Sequence, residues 1–126
     1  MMAARTSSLL WSYLFALMVI GPGIGLTFLP EATCAAFNLT SITSSTLHLS
    51  RLIGVRNIVF GVMLLATPRG STEYRTTVKL VALTEALDVG IGYLSYHHGD
   101  MAANDAIQSS AAAGVTALIG WKAFQA

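Results

Sequence analysis

Apolar residues along this chain form four segments of membrane-spanning length, separated by shorter polar stretches. The segments cover about residues 8–29, 47–67, 76–96 and 105–125. Each is close to the roughly 20 residues that a helix needs to cross a bilayer core of about 30 Å. We therefore predict an all-α fold, a four-transmembrane-helix bundle with short loops, in which residues 1–126 form a single integral membrane domain.

Helix-breaking and helix-capping residues separate the four segments. Pro30 ends the first segment and Pro68 ends the second. Ser71 is a candidate N-cap of the third segment, and Asp105 followed by Gln108 resembles a capping box at the start of the fourth. These positions support the division into four helices.

The connection between the first two segments is long for a helical bundle. Pro30 at a first helical position, followed by the alanine-rich stretch to Phe37, predicts a short interfacial helix after the first span. Asn38, Leu39 and Thr40 form an N-glycosylation triplet, which makes Asn38 a candidate glycosylation site. Such triplets also occur often by chance.

The loop charges predict the orientation of the bundle. With four spans, the two termini and the second loop lie on one side, whose Lys and Arg residues are Arg5, Arg69, Arg75, Lys79 and Lys122. The other side has only Arg51. By the positive-inside rule we expect both termini in the cytoplasm, with the endoplasmic reticulum or another endomembrane as the location in a eukaryote. The uncharged run from Thr6 to Pro30 exceeds a signal-peptide core, so we expect a retained helix.

Composition agrees with a lipid environment and excludes several classes of function. Hydrophobic residues make up 54% of the chain and charged residues only 10%, against about 25% charged in soluble domains. A net charge of +1 without a Lys/Arg cluster argues against a nucleic-acid partner. The single cysteine, Cys34, excludes an internal disulfide. Because no nucleotide-binding, nucleophile or paired-cysteine motif is present, we expect no cofactor and no metal.

Three charged residues, Arg56, Glu85 and Asp88, interrupt the second and third segments. An unpaired charge at mid-membrane costs about 2.5–3.5 kcal/mol, so we expect these residues to face inward and meet. At 1.5 Å per residue, Arg56 lies about 13 Å, Asp88 about 12 Å and Glu85 about 16 Å from the outer face. One guanidinium beside two carboxyl groups leaves a surplus negative charge, so the two acids are expected to share a proton.

Two interpretations of this charged cluster remain open. In one, the cluster is a structural clamp between the second and third helices. In the other, it forms a polar pocket with catalytic and ligand-binding residues. The candidate catalytic residues are Glu85, Asp88 and Arg56, and the candidate ligand-binding residues are Arg51, Asn57, Tyr93 and His97. His97 and His98 precede a turn and lack zinc-ligand spacing, which favours solvated loop histidines.

Short motifs give the chain a family resemblance. They are the stretch from Phe28 to Phe37, the run from Arg51 to Asn57 with Gly61, and Asp88 in the third segment. On these motifs the chain resembles a family of small, uncharacterised four-helix integral membrane proteins of fungi and bacteria, with a plan similar to that of DoxX-like proteins. Fungal members are often encoded beside natural-product pathways, which implies a lipophilic biosynthetic intermediate as ligand.

The family resemblance covers some candidate residues and not others. Arg51, Arg56, Asn57 and Asp88 fall on polar positions of the family pattern, whereas Glu85 and the histidines are added from physical reasoning alone. The pattern tends to have glycine at the position of Asn38, a departure confined to the loop.

Three functions are compatible with the sequence. The first is a membrane protein that binds or converts a lipophilic intermediate, with isomerase- or cyclase-type proton transfer by the acids and an oxyanion held by Arg56. The second is a non-catalytic scaffold or accessory subunit, forming homo- or hetero-oligomers through small-residue faces that include Gly61 and Gly114. The third is a small solute carrier, for which four spans without a repeat are few. Membrane lipid is the expected partner in all three.

Overall fold

A computed structural model describes residues 2–40 and 42–125, with side chains from residue 6 onwards. In this part of the chain there are five helices and no strand. They are α1 (Met2–Phe28), α2 (Pro30–Ala36), α3 (Ser44–Ala66), α4 (Thr72–His97) and α5 (Ala103–Gln125). The all-α prediction is confirmed, and each of the four predicted segments coincides with one long helix, apart from one residue beyond the C-terminal end of α1 and of α3. The side chain of Arg5, used to predict orientation, lies outside the described residues.

The helix boundaries follow local chemistry. Pro30 occupies the start of α2, where its missing N–H removes nothing from the helix. Ser71 caps α4, since its hydroxyl oxygen accepts a hydrogen bond from the Tyr74 N–H at 3.0 Å. Gly70, just before this cap, and Gly99, after α4, adopt positive φ angles of 83° and 79°, which glycine tolerates without strain.

Asp105 does not form the predicted capping box, because α5 begins two residues earlier at Ala103. The Asp105 side chain is instead only 4% exposed, and its Oδ1 accepts hydrogen bonds of 3.0 Å from both the backbone N–H and the hydroxyl of Thr40. Through these hydrogen bonds the buried carboxylate anchors the α2–α3 loop to α5. The sequence pattern suggested that Asp105 caps its own helix, whereas its side chain binds Thr40, which is distant in the chain.

The long helices pack as two pairs. α1 packs extensively on α3, and α4 packs extensively on α5, whereas consecutive helices α3 and α4 make few contacts. Small residues allow the close approach: a Cβ on Gly54 would lie 2.7 Å from the Gly23 carbonyl oxygen, and one on Gly61 would lie 2.6 Å from Ile20 Cβ. Gly61 is therefore buried in a contact between α1 and α3.

The hydrophobic core occupies one half of the bundle. Phe15 and Val19 of α1, Leu64 of α3, and Val78 and Val81 of α4 are at most 3% exposed and belong to one cluster. These positions lie in the middle of α1, the last turn of α3 and the first half of α4. The other half of the bundle is less completely filled, and the candidate site lies there.

The outer surface of the bundle is apolar on all four long helices. Leu17 of α1, Leu52 of α3, Leu87 of α4 and Leu118 of α5 are each more than half exposed. Two helical stretches, Thr6–Phe28 and Ser44–Ala66, are long and apolar enough to cross a membrane, a criterion that buried helices and signal sequences also meet. Within the described residues, α4 and α5 do not meet it. Charges interrupt α4, and α5 is rich in alanine, glycine and serine.

Candidate functional site

A largely apolar pocket of about 310 Å³ lies between the four long helices, in the half of the bundle opposite the core. Its walls include Met18 and Pro22 of α1, Ile53 of α3, Ile91 of α4 and Ala113 of α5. Four of the sequence-predicted site residues also line it, namely Arg56, Asn57, Glu85 and Asp88. The structure therefore brings together the three charges that the sequence placed at one depth.

Arg56 and Asp88 form an ion pair that bridges α3 and α4. The guanidinium donates two hydrogen bonds to the carboxylate, of 2.8 Å from Nη2 to Oδ2 and 3.4 Å from Nη1 to Oδ1. Its Nε donates a third, of 3.2 Å, to Oδ1 of Asn57, which is 8% exposed. Because a guanidinium has five N–H donors, two remain for another partner. The guanidinium of Arg56 thus neutralises the charge of Asp88 and retains two further N–H donors at the pocket.

Glu85 is the surplus acid of the site. It lies one helical turn before Asp88 and is 6% exposed. Its Oε1 is buried without a hydrogen-bond partner in the described part of the chain. Such orphaned polar atoms are rare, and one that lines a cavity marks a place where a missing donor or acceptor fits.

The two acids therefore occupy different environments, which the sequence did not resolve. Asp88 is paired with Arg56 and has a side chain 35% exposed, whereas Glu85 is enclosed and unpaired. The sequence-based expectation treated the acids as a pair that shares one proton around one guanidinium. In the structure Arg56 forms its ion pair with Asp88, and Glu85 lines the pocket without an ion-pair partner.

The pocket reaches the molecular surface between α3 and α4. Ile53 and Ile91, which line it from these two helices, are 43% and 60% exposed. The side chains of Arg56 and Asp88 are also partly exposed, at 30% and 35%. Since α3 and α4 make few direct contacts, the ion pair spans the gap between them. The pocket is therefore open toward the side of the bundle.

The other candidate ligand-binding residues lie elsewhere. Arg51 is exposed on α3, and neither it, Tyr93 nor His97 lines the pocket. Tyr93 is 65% exposed and stacks on His97 with ring centroids 6.1 Å apart, near the end of α4. No group of three His, Cys, Asp or Glu residues within the described ranges is arranged to hold a metal ion.

Asn38, the candidate glycosylation site, lies exposed in the turn after α2 with a positive φ of 56°. Its carbonyl oxygen accepts a hydrogen bond of 3.0 Å from Asn104 Nδ2. The Thr40 hydroxyl of the same triplet is bound to Asp105. In the folded chain the triplet is therefore tied to the start of α5.

One protein-family model matches most of the chain. The model of a domain of unknown function, DUF4267, matches residues 16–123. The chain belongs to the DUF4267 family. This match contains every residue of the Arg56–Asn57–Glu85–Asp88 cluster, so the pocket lies within the DUF4267 domain. Comparison with curated proteins and with solved structures found no significant match.

Sequence reasoning missed the walls that α1 and α5 contribute to this DUF4267 pocket. Pro22 of α1 and three α5 residues, Ser109, Ala112 and Thr116, line it. The available signal was the small side chains at three- and four-residue spacing on α5, which place a smooth face toward the bundle interior.

Proposed function

We propose that this protein is an integral membrane protein whose four long helices cross the bilayer, with both termini in the cytoplasm. Two helices have the length and hydropathy of membrane spans, and the other two expose large apolar side chains such as Leu87 and Leu118. The basic residues support the orientation, because Arg69 lies in the α3–α4 loop, Arg75 and Lys79 lie near the start of α4, and Lys122 lies in the last turn of α5.

We propose that the pocket binds a lipophilic small molecule that enters laterally between α3 and α4. The observation that carries this proposal is the enclosed, unpaired carboxyl group of Glu85 in a largely apolar cavity. A carboxyl group without a donor in such surroundings is most stable in its neutral form. A neutral acid donates one hydrogen bond, so the fitting ligand is mainly apolar and carries a carbonyl or hydroxyl oxygen.

The same arrangement supports proton-transfer chemistry on the bound molecule. Glu85 would protonate an acceptor atom of the ligand, and the resulting carboxylate would take a proton from another atom, giving an isomerisation or cyclisation with no net gain or loss of protons. The two spare N–H donors of Arg56 are suited to an oxygen on which negative charge develops. The substrate class would be a lipophilic biosynthetic intermediate.

Ligand retention tests the binding proposal. The full chain is purified from membranes in mild detergent and extracted with organic solvent, and mass spectrometry compares co-purifying small molecules. We expect a species retained by the native chain to be depleted at least tenfold by Ile91→Trp, which narrows the opening. Leu118→Trp adds the same bulk to an exposed α5 position that does not line the pocket and serves as control.

Deuterium labelling tests the chemical proposal. In D₂O, the native chain should incorporate deuterium into the retained species through the Glu85 carboxyl group, while Glu85→Gln should bind the species without labelling it. Equal retention by all variants would contradict binding in the pocket. Equal labelling by Glu85→Gln would leave binding intact and contradict the role of Glu85 as proton donor.

A further inference from the structure

A second cavity, of about 490 Å³, lies at the opposite end of the bundle from the Glu85 pocket. The start of α1, the α3–α4 loop, the first turns of α4 and the end of α5 form its walls. Its lining differs in character, because it contains two arginines, Arg69 and Arg75, and the hydroxyl-bearing residues Ser12 and Tyr74.

The two arginines are held in place by aromatic rings. The guanidinium carbon of Arg69 lies 3.9 Å from the ring centroid of Tyr13, and that of Arg75 lies 4.9 Å from the ring centroid of Phe124. Stacking of this kind fixes the guanidinium plane and leaves its edge N–H groups available. Within the described part of the chain, no carboxylate forms an ion pair with either arginine.

The hydroxyl groups of two largely buried residues add independent evidence for a ligand. Ser12 is 7% exposed and Tyr74 is 5% exposed, and both line the cavity. Among the described residues, neither hydroxyl has a hydrogen-bond partner. Two hydroxyl groups without a protein partner therefore lie beside two arginines without a carboxylate, and this set of donors suits an acceptor that the protein itself does not supply.

We propose that this cavity binds a phosphate group. A phosphate offers several acceptor oxygens and at least one negative charge, which suits two guanidinium forks and two hydroxyl donors. The group can be carried by an anionic lipid headgroup or by a soluble phosphate. Basic pockets between membrane helices on the cytoplasmic side bind lipid headgroups. In the proposed topology this end of the bundle lies on the cytoplasmic side.

The test uses the full chain in phosphatidylcholine nanodiscs and measures bound phosphate species by native mass spectrometry. One arm adds phosphatidic acid to the nanodisc, and the other adds inorganic phosphate to the buffer. We expect Arg69→Gln and Arg75→Gln each to weaken binding about tenfold, since a lost hydrogen bond to a charged group has that order of effect. Lys122→Gln removes the same charge from an exposed α5 position outside the cavity and should leave binding unchanged.

Shape-conserving variants keep the test valid if an arginine variant fails to fold. Ser12→Ala and Tyr74→Phe each remove one hydroxyl group and should weaken binding about threefold. Binding in either arm that these variants reduce supports the site, and the responding arm identifies lipid or soluble phosphate as the source. Equal losses in Lys122→Gln and Arg75→Gln would overturn the proposal, because only general charge would then matter. Binding in neither arm would also overturn it.

Discussion

The free energy contributed by the Arg56–Asp88 ion pair depends on whether water or lipid surrounds α3 and α4. Its side chains are 30% and 35% exposed, and its hydrogen bonds are 2.8 and 3.4 Å long. An ion pair this exposed to water contributes about 0–1 kcal/mol, because solvent screens it. In lipid an unpaired charge costs about 2.5–3.5 kcal/mol, so each partner is needed to compensate the other. The two environments therefore predict different coupling energies.

A double-mutant cycle with Arg56→Gln and Asp88→Asn measures this coupling. The cycle is best built on Glu85→Gln, because an ionised Glu85 in the same pocket would replace Asp88 as counter-ion. We expect each single change to lower the free energy of unfolding by about 2.5–3.5 kcal/mol, since it leaves one uncompensated charge. The double variant should lose less than either single variant, which gives a coupling energy of at least about 2 kcal/mol.

Equilibrium unfolding in lipid–detergent micelles, at low and high salt, provides the measurement. Coupling between charges in lipid should change little with salt, because mobile ions do not reach them. A coupling energy below about 1 kcal/mol that falls further on addition of salt is the value for an exposed aqueous pair. That result would show that α3 and α4 face water at this level, and the proposed four-span membrane bundle would be wrong.

Two further predictions concern helix packing and topology. Gly54→Ala should lower the free energy of unfolding by about 1–3 kcal/mol, because the added Cβ would lie 2.5 Å from Thr27 Oγ1 and 2.7 Å from the Gly23 carbonyl oxygen. Gly90→Ala meets nothing within 4 Å and should be neutral or stabilising by up to about 1 kcal/mol; equal losses in thermal denaturation would contradict this account of the α1–α3 contact. Reporter domains fused to either terminus should both be active in the cytoplasm, and activity on opposite sides would exclude an even number of spans.

The helices were predictable because their signals are local. Pro30 and Ser71 each influence only the few residues next to them, and both mark helix boundaries in the structure. Asp105 was misassigned for the complementary reason. Its partner Thr40 lies 65 residues away in the chain, and no local pattern distinguishes a capping aspartate from one that anchors a distant loop.

The candidate site was predictable only in part. The cost of an unpaired charge in an apolar segment indicated that Arg56 would meet an acid, and the structure pairs it with Asp88. The choice between Asp88 and Glu85 depends on side-chain geometry across α3 and α4, which spacing along one helix does not define. The exposed positions of Arg51 and His97 likewise depend on which face of each helix turns inward.

The cavity that contains Arg69 and Arg75 could not be predicted from the sequence. From the sequence, Arg69 and Arg75 could be interpreted only as loop charges. Arg69 stacks on Tyr13, near the start of the chain, and Arg75 stacks on Phe124, near its end. Contacts between residues so far apart carry no periodicity. Only the packing of α1 and α5 against the α3–α4 loop brings these groups to one place.

The separation of Arg56 from Asp88 in the chain imposes an order on biosynthesis. The two residues are 32 positions apart, so at about 5–20 residues per second the ribosome completes the carboxylate roughly 2–6 s after the guanidinium. During that interval a nascent α1–α3 hairpin would hold a cation without its counter-ion. In the proposed membrane bundle, lateral release of this hairpin into lipid is disfavoured by about 2.5–3.5 kcal/mol until α4 supplies the carboxylate, so the first half would integrate more readily once the second half has been translated.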